Sequence, residues 1–219
     1  MKKIVLIGDS IRMGYCEYVK NALSGKAEVY YPPENCRYAA NVLRFIGDWK
    51  AKAEWPTDAD MVHFNAGLWD VLRLDDGEML STYEYYKYTI ERLGKRMRRL
   101  FPTAKLVFAT STAVVEANSK KRRNADIERF NAAAIEVLTP LGIEINDLYA
   151  ITKDIPDECR SDETHFNNDA GREAVGGAVV RYICNSLSIT SSDTDIAPGE
   201  QNVEKKAAKS LISDNDIGF

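Results

Sequence analysis

Short apolar runs alternate with longer amphipathic stretches along this chain. Five runs have the length of strands: 3–7 (KIVLI), 27–31 (AEVYY), 60–65 (DMVHFN), 105–110 (KLVFAT) and 142–145 (GIEI). Several are continuously apolar rather than alternating, the pattern of parallel strands buried on both faces. Between them, residues 15–24 and 37–53 carry apolar positions at three- and four-residue spacing, which predicts helices. Tyr83 to Leu100 repeats that spacing and runs into Pro102, and Ala125 to Leu138 is closed by Pro140 and Gly142. A last helix is predicted from Asn168 to Leu187, with Asp169 in its first turn, where the helix dipole favours an anion.

Strands separated by helices make βαβ units, and right-handed crossovers place helices on both faces of the sheet. The expected architecture is α/β: three layers around a five-stranded, flavodoxin-like parallel sheet of order 2-1-3-4-5. Its ligand crevice would open at the carboxyl ends of strands 1 and 3, where the winding reverses. From Ser188 the composition turns polar and passes through Ala197-Pro198-Gly199. The expected division is therefore a domain over 1–187 and a tail over 188–219, with one weak helical stretch from Val203 to Ile212.

Composition narrows the chemistry. The 219 residues carry a formal net charge of -4, which lacks the basic footprint of a general nucleic-acid binder. No run approaches the ~18 apolar residues of a membrane span. Cys16, Cys36, Cys159 and Cys184 are scattered and form no C-x-x-C pair, so they read as buried thiols. Met1 to Ile7 is too short for a signal-peptide core and reads as a first strand, so the expected location is cytoplasmic, although a secreted chain trimmed of its signal would read alike. P-loop, G-x-G-x-x-G and G-x-S-x-G patterns are missing, which argues against nucleotide transfer, Rossmann dehydrogenation and the α/β-hydrolase fold. His63 and His165 are the only histidines, so no metal site is expected and imidazole chemistry has two candidates.

Ser10 follows the first strand at the mouth of the expected crevice. A hydroxyl becomes a useful nucleophile when a base takes its proton. Near the other end stands Asp162-Glu163-Thr164-His165, and an aspartate three residues before a histidine can turn its carboxylate onto Nδ1 within one loop. That contact sets the tautomer and leaves Nε2 for the serine. Taken singly, Gly-Asp-Ser is also a common turn or helix cap. The two motifs at opposite ends of one α/β pattern are far more specific.

On these residues the chain resembles the SGNH (GDSL-type) hydrolases, with Gly8-Asp9-Ser10 as the first block and Asp162-Glu163-Thr164-His165 as the last. The resemblance covers 3–187 in block order. It implies Ser10 as nucleophile, His165 as general base and then acid, and Asp162 as the group orienting it. It also implies an oxyanion hole built from Ser10, from a backbone N–H after strand 2 and from a third block, usually Gly-x-Asn-Asp. The family has glycine after strand 2, and here the stretch is Pro33-Glu34-Asn35-Cys36-Arg37, making Cys36 or a neighbour the donor. The third block reads Gly67-Leu68-Trp69-Asp70, with Trp in the Asn position. Asn65 is then either the substitute donor or a strand-end cap. Arg12, Asn35, Arg37, Gly67 and Trp69, in or beside these blocks, are candidate substrate contacts. The 33–37 and 64–70 stretches resemble a bacterial subgroup of the family.

His63 lies inside an apolar strand and reads as a core histidine. Tyr83, Tyr85, Tyr86 and Tyr88 fit a packing face or a sugar-stacking platform, and Lys120 to Arg123 fits a solvated loop or a clamp for a substrate anion. The resemblance implies a serine esterase without cofactors, acting on a small-molecule or carbohydrate ester, with small acyl groups on carbohydrate as the leading class. Lysophospholipid or thioester hydrolysis is the alternative within enzymes. A non-catalytic binding module is the alternative outside them, favoured by Trp69.

Overall fold

The computed structural model describes residues 1–119 and 121–190, so Lys120, most of the expected tail and its weak helix lie outside the described residues. Five parallel strands form one sheet: β1 (Lys2–Ile7), β2 (Ala27–Tyr30), β3 (Met61–Phe64), β4 (Lys105–Ala109) and β5 (Glu144–Asn146). Their order is β2-β1-β3-β4-β5, as the sequence predicts. Ile4 pairs with Met61 and Ile7 with Phe64, so the two central strands end level. Ile4 to Ile7 and all of β3 are fully buried, because helices cover both faces.

Helices α2 (Ala39–Lys52), α3 (Tyr83–Leu100) and α4 (Asn124–Leu138) pack in series on one face. On the other, α1 (Ser10–Ala22) packs against the closing helical segment. That segment is α6 (Asp169–Gly171), a π-helical turn over Arg172–Gly176 and α7 (Gly177–Leu187), where the sequence predicts one continuous helix. The wider turn brings Gly176 against the Tyr18 ring, which stands 2.7 Å from where a Cβ would sit. A short helix, α5 (Leu148–Lys153), has too few turns to show a period and is not predicted.

Helix α1 starts at Ser10 rather than near residue 15. Asp9 is the reason: its Oδ1 accepts the N–H of Ile11 at 3.0 Å and caps the helix. Strand β5 starts after Gly142, whose φ of +69° ends the preceding turn. No described helix is long and apolar enough to cross a membrane. The four cysteines are free thiols, two of them buried.

Candidate active site at the carboxyl edge of the sheet

The chain leaves β1 through Gly8 and Asp9 and enters α1 at Ser10. Gly8 has no side chain for a steric reason: a Cβ there would lie 1.8 Å from Oδ1 of Asn65. Asp9 is fully buried, and burial raises its pKa against the stabilising effect of Asn65 and the Ile11 N–H. Ser10 occupies the first position of the helix, where backbone N–H groups have no intrahelical acceptor and the dipole favours an anion.

His165 arrives from the opposite end of the sequence. Its Nε2 lies 2.8 Å from Ser10 Oγ, and its Nδ1 lies 2.8 Å from Asp162 Oδ2. The Asp162 carboxylate also accepts the N–H groups of Thr164 and His165, each at 2.7 Å. Partial burial works against its charge, but these donors and the imidazole outweigh that, so its pKa is lowered. The carboxylate therefore holds Nδ1–H and leaves Nε2 as an acceptor for the Ser10 hydroxyl. The loop around His165 is held on several sides. Ser161 N–H donates to the His165 carbonyl at 2.9 Å, and Val115 N–H to Glu163 at 2.9 Å. Asn168 caps α6 and donates to the carbonyls of Glu158 and Arg160. Arg160, absent from the sequence reading, donates to Ala113 O at 3.1 Å and Thr152 O at 2.9 Å while stacking on Phe166.

The turn after β2 departs from expectation. Cys36 N–H donates to Gly8 O at 3.1 Å, so it is spent within the protein and is not an open oxyanion donor. Arg37 has φ of +56°, a left-handed conformation that favours glycine, so the position keeps a glycine-like backbone while carrying a long side chain. Its N–H donates to Asn35 Oδ1 at 2.8 Å, which fixes the turn. The Arg37 side chain is exposed and Asn35 half-buried.

Arg12 is not a surface contact either. It is 1% exposed, and its guanidinium donates to Pro32 O at 3.0 Å, Glu34 O at 2.5 Å and Gly8 O at 3.3 Å. It holds the 32–34 backbone against the turn that carries Ser10. The Arg12→Met variant should cost about 2–3 kcal/mol, the scale of lost charge-assisted hydrogen bonds. Urea unfolding checks this, and an unchanged midpoint would show that the three carbonyls find other donors.

Gly67 begins the third block with φ of +145°, and a Cβ there would stand 2.7 Å from Ser111 Oγ. Both facts require glycine. Trp69 is half-buried on the turn that follows. Asp70 closes it, with Oδ2 on Ala39 N–H at 2.9 Å and Oδ1 on the Ser81 hydroxyl at 2.7 Å. Arg122 Nε donates to Leu68 O at 2.8 Å, so this residue of the basic run braces the turn. Asn65 is 6% exposed and lies against Gly8 and Asp9, with Oδ1 buried and unpaired. Of the expected oxyanion set, Ser10 contributes the N–H at the first position of α1.

His63 is a core residue. It is fully buried, its Nε2 faces Asn146 Nδ2 at 3.1 Å, and burial pushes its pKa down to about 4. Tyr86 packs inside against Phe130, while Tyr85 and Tyr88 are exposed. Asp70 and Ser81 form a contact between segments, so no local pattern announces it.

The sequence matches no protein-family model and no curated protein. Solved structures do match. The lipase/acylhydrolase from Enterococcus faecalis is 22% identical with a TM-score of 0.69, the match covering 88% of this chain and 100% of that one. A carbohydrate esterase family 3 protein from Talaromyces cellulolyticus is 16% identical with a TM-score of 0.64, covering 87% of this chain and 100% of that one. A GDSL-like lipase from Bacteroides thetaiotaomicron is 15% identical with a TM-score of 0.65, covering 85% and 89%. The protein has the SGNH (GDSL-type) hydrolase fold.

Proposed function

We propose that this protein is a serine esterase that removes a small acyl group from a carbohydrate ester. The observation that carries the reading is the chain of contacts from Asp162 through His165 to Ser10, at 2.8 Å on either side of the imidazole. Ser10 Oγ attacks the acyl carbon as its proton passes to His165 Nε2. The oxyanion that forms lies at the N-terminus of α1, where the Ser10 N–H and the dipole favour it. Collapse breaks the ester bond, and His165 returns its proton to the leaving alcohol. Water, deprotonated by the same imidazole, then attacks the acyl carbon; the acyl–Oγ bond breaks, His165 returns the proton to Ser10 Oγ and the acid leaves. Asp162 stays ionised throughout and stabilises the imidazolium. No step needs a cofactor.

The fold supports ester hydrolysis as the reaction class, since its structural neighbours include lipases, acylhydrolases and carbohydrate esterases. Carbohydrate as the alcohol is the finer part of the proposal. A serine-directed fluorophosphonate should add one label per chain, mapped by mass spectrometry to Ser10. Acetylated sugars should turn over faster than esters or thioesters of long acyl chains. Labelling elsewhere or no labelling overturns the nucleophile. Preference for long chains overturns the substrate class and favours lysophospholipid or thioester hydrolysis.

A further inference from the structure

Asp70 takes no part in the steps above, yet both oxygens of its buried carboxyl are engaged by other segments of the chain. Oδ2 accepts the N–H of Ala39, the first residue of α2. Only Tyr38 separates Ala39 from the turn that holds Asn35, Cys36 and left-handed Arg37. Oδ1 accepts the Ser81 hydroxyl, and the Ser81 N–H donates back to the Asp70 carbonyl at 3.0 Å. Ser81 precedes Thr82, whose side chain caps α3. One carboxyl group thus ties the turn after β2, the Gly67–Asp70 turn and the start of α3 together. The first two border the turn that presents Ser10: the Cys36 N–H donates to the Gly8 carbonyl at 3.1 Å, and Asn65, two residues before Gly67, packs against Gly8.

We propose that Asp70 is a positioning residue, whose carboxylate holds these two turns in register against Gly8 and so fixes the turn that presents Ser10. The inference rests on the serine-esterase reading. A carboxylate is suited to the task because it accepts at both oxygens, and because the first N–H of α2 carries the positive end of the helix dipole. Asparagine in its place can accept at one end only. The ionised form is the competent one. Burial pushes the Asp70 pKa up to about 6, the Ala39 N–H and Ser81 hydroxyl draw it down, and Asp9 in the β1–α1 turn raises it further. From α3, buried Tyr86 is the titratable group in its field, and it stays neutral.

The test is Asp70→Asn in the full chain, assayed with p-nitrophenyl acetate beside Ser10→Ala. Misplacement of about 1 Å at a reacting centre costs on the order of 10² in rate, and that is the expected fall in kcat, with KM changed little. The thermal midpoint at pH 8 should not fall, because the variant no longer buries an ionised carboxylate. The acid limb of log kcat/KM should be steeper in the wild type than in Asp70→Asn, because only the wild type must also keep Asp70 without its proton. Ser81→Ala, which removes one of the two bonds, should lose about tenfold in kcat. Full kcat with an unchanged limb in Asp70→Asn overturns the inference. So does a loss of kcat that tracks a lowered thermal midpoint, which marks a purely structural role. If Asp70→Asn does not fold, an unaltered kcat and limb in Ser81→Ala overturns it. Absence of Ser10-dependent turnover in the wild type overturns the esterase reading and this inference with it, whereas Ser10-dependent turnover with an indifferent Asp70→Asn removes this inference alone.

Discussion

Replacing His165 by alanine is expected to lower kcat/KM for a short p-nitrophenyl ester by about 10⁴- to 10⁶-fold, the range seen when a member of such a triad is removed. No second imidazole can take over. His63 sits on β3 inside the sheet, is engaged by Asn146 and is kept neutral by burial. Ser10→Ala should lose a similar factor, and the double variant should be no worse than either single one, because a nucleophile and its base act as a unit. Residual activity should then come from whatever stabilises the oxyanion alone. Steady-state assays on freshly purified protein decide the matter. Activity of His165→Ala within tenfold of wild type would mean that another group takes the serine proton.

Gly171→Ala is expected to damage the site from a distance. Gly171 is the last residue of α6, and a Cβ there would lie 2.2 Å from the carbonyl oxygen of Cys159 and 2.7 Å from that of Phe166. Both obstacles are backbone, so no rotamer change relieves them. One of the two neighbours His165 directly, and relief must move the loop that sets the Nε2 to Oγ distance. Overpacking of this kind costs about 1–3 kcal/mol, and a shift of about 1 Å at the base costs on the order of 10² in rate. A variant that folds should therefore show both a lowered urea midpoint and a reduced kcat. Wild-type values for both would show that the loop has slack that these contacts do not reveal.

Much of the fold is legible in the sequence because burial writes it there. Ile4 to Ile7 is apolar without interruption and MVHF is broken only by His63, since helices cover both faces of β1 and β3, and the sheet order follows from the alternation of strands and helices. Ser10 and the Asp162–His165 pair could be singled out because their relation is local or tied to a strand end. What escaped depends on partners far along the chain. An arginine two residues beyond a nucleophile reads as exposed, and only the folded loop supplies the carbonyls of Pro32 and Glu34 that bury Arg12. The direction of the Cys36 N–H is likewise a property of the Gly8 carbonyl it meets. The start of α1 was obscured because a cap of Asp9 type leaves no apolar period to read. The π-helical turn at Arg172–Gly176 changes the backbone path without changing the pattern of apolar positions.

The contact between Ser10 and His165 joins residues 155 apart in sequence. All of the segment from Ser10 to His165 must be made before the two can meet, and the loop bearing His165 is held by bonds that involve Val115, Arg160 and Asn168. On the proposed reading, Ser10 is made before its base and waits, inert, through four strands and the helices between them. On that reading hydrolytic competence needs the long-range contact, and in refolding it should trail the recovery of helical content. Termination anywhere before residue 165 should then leave a product unable to cleave esters, however much of the sheet it has formed.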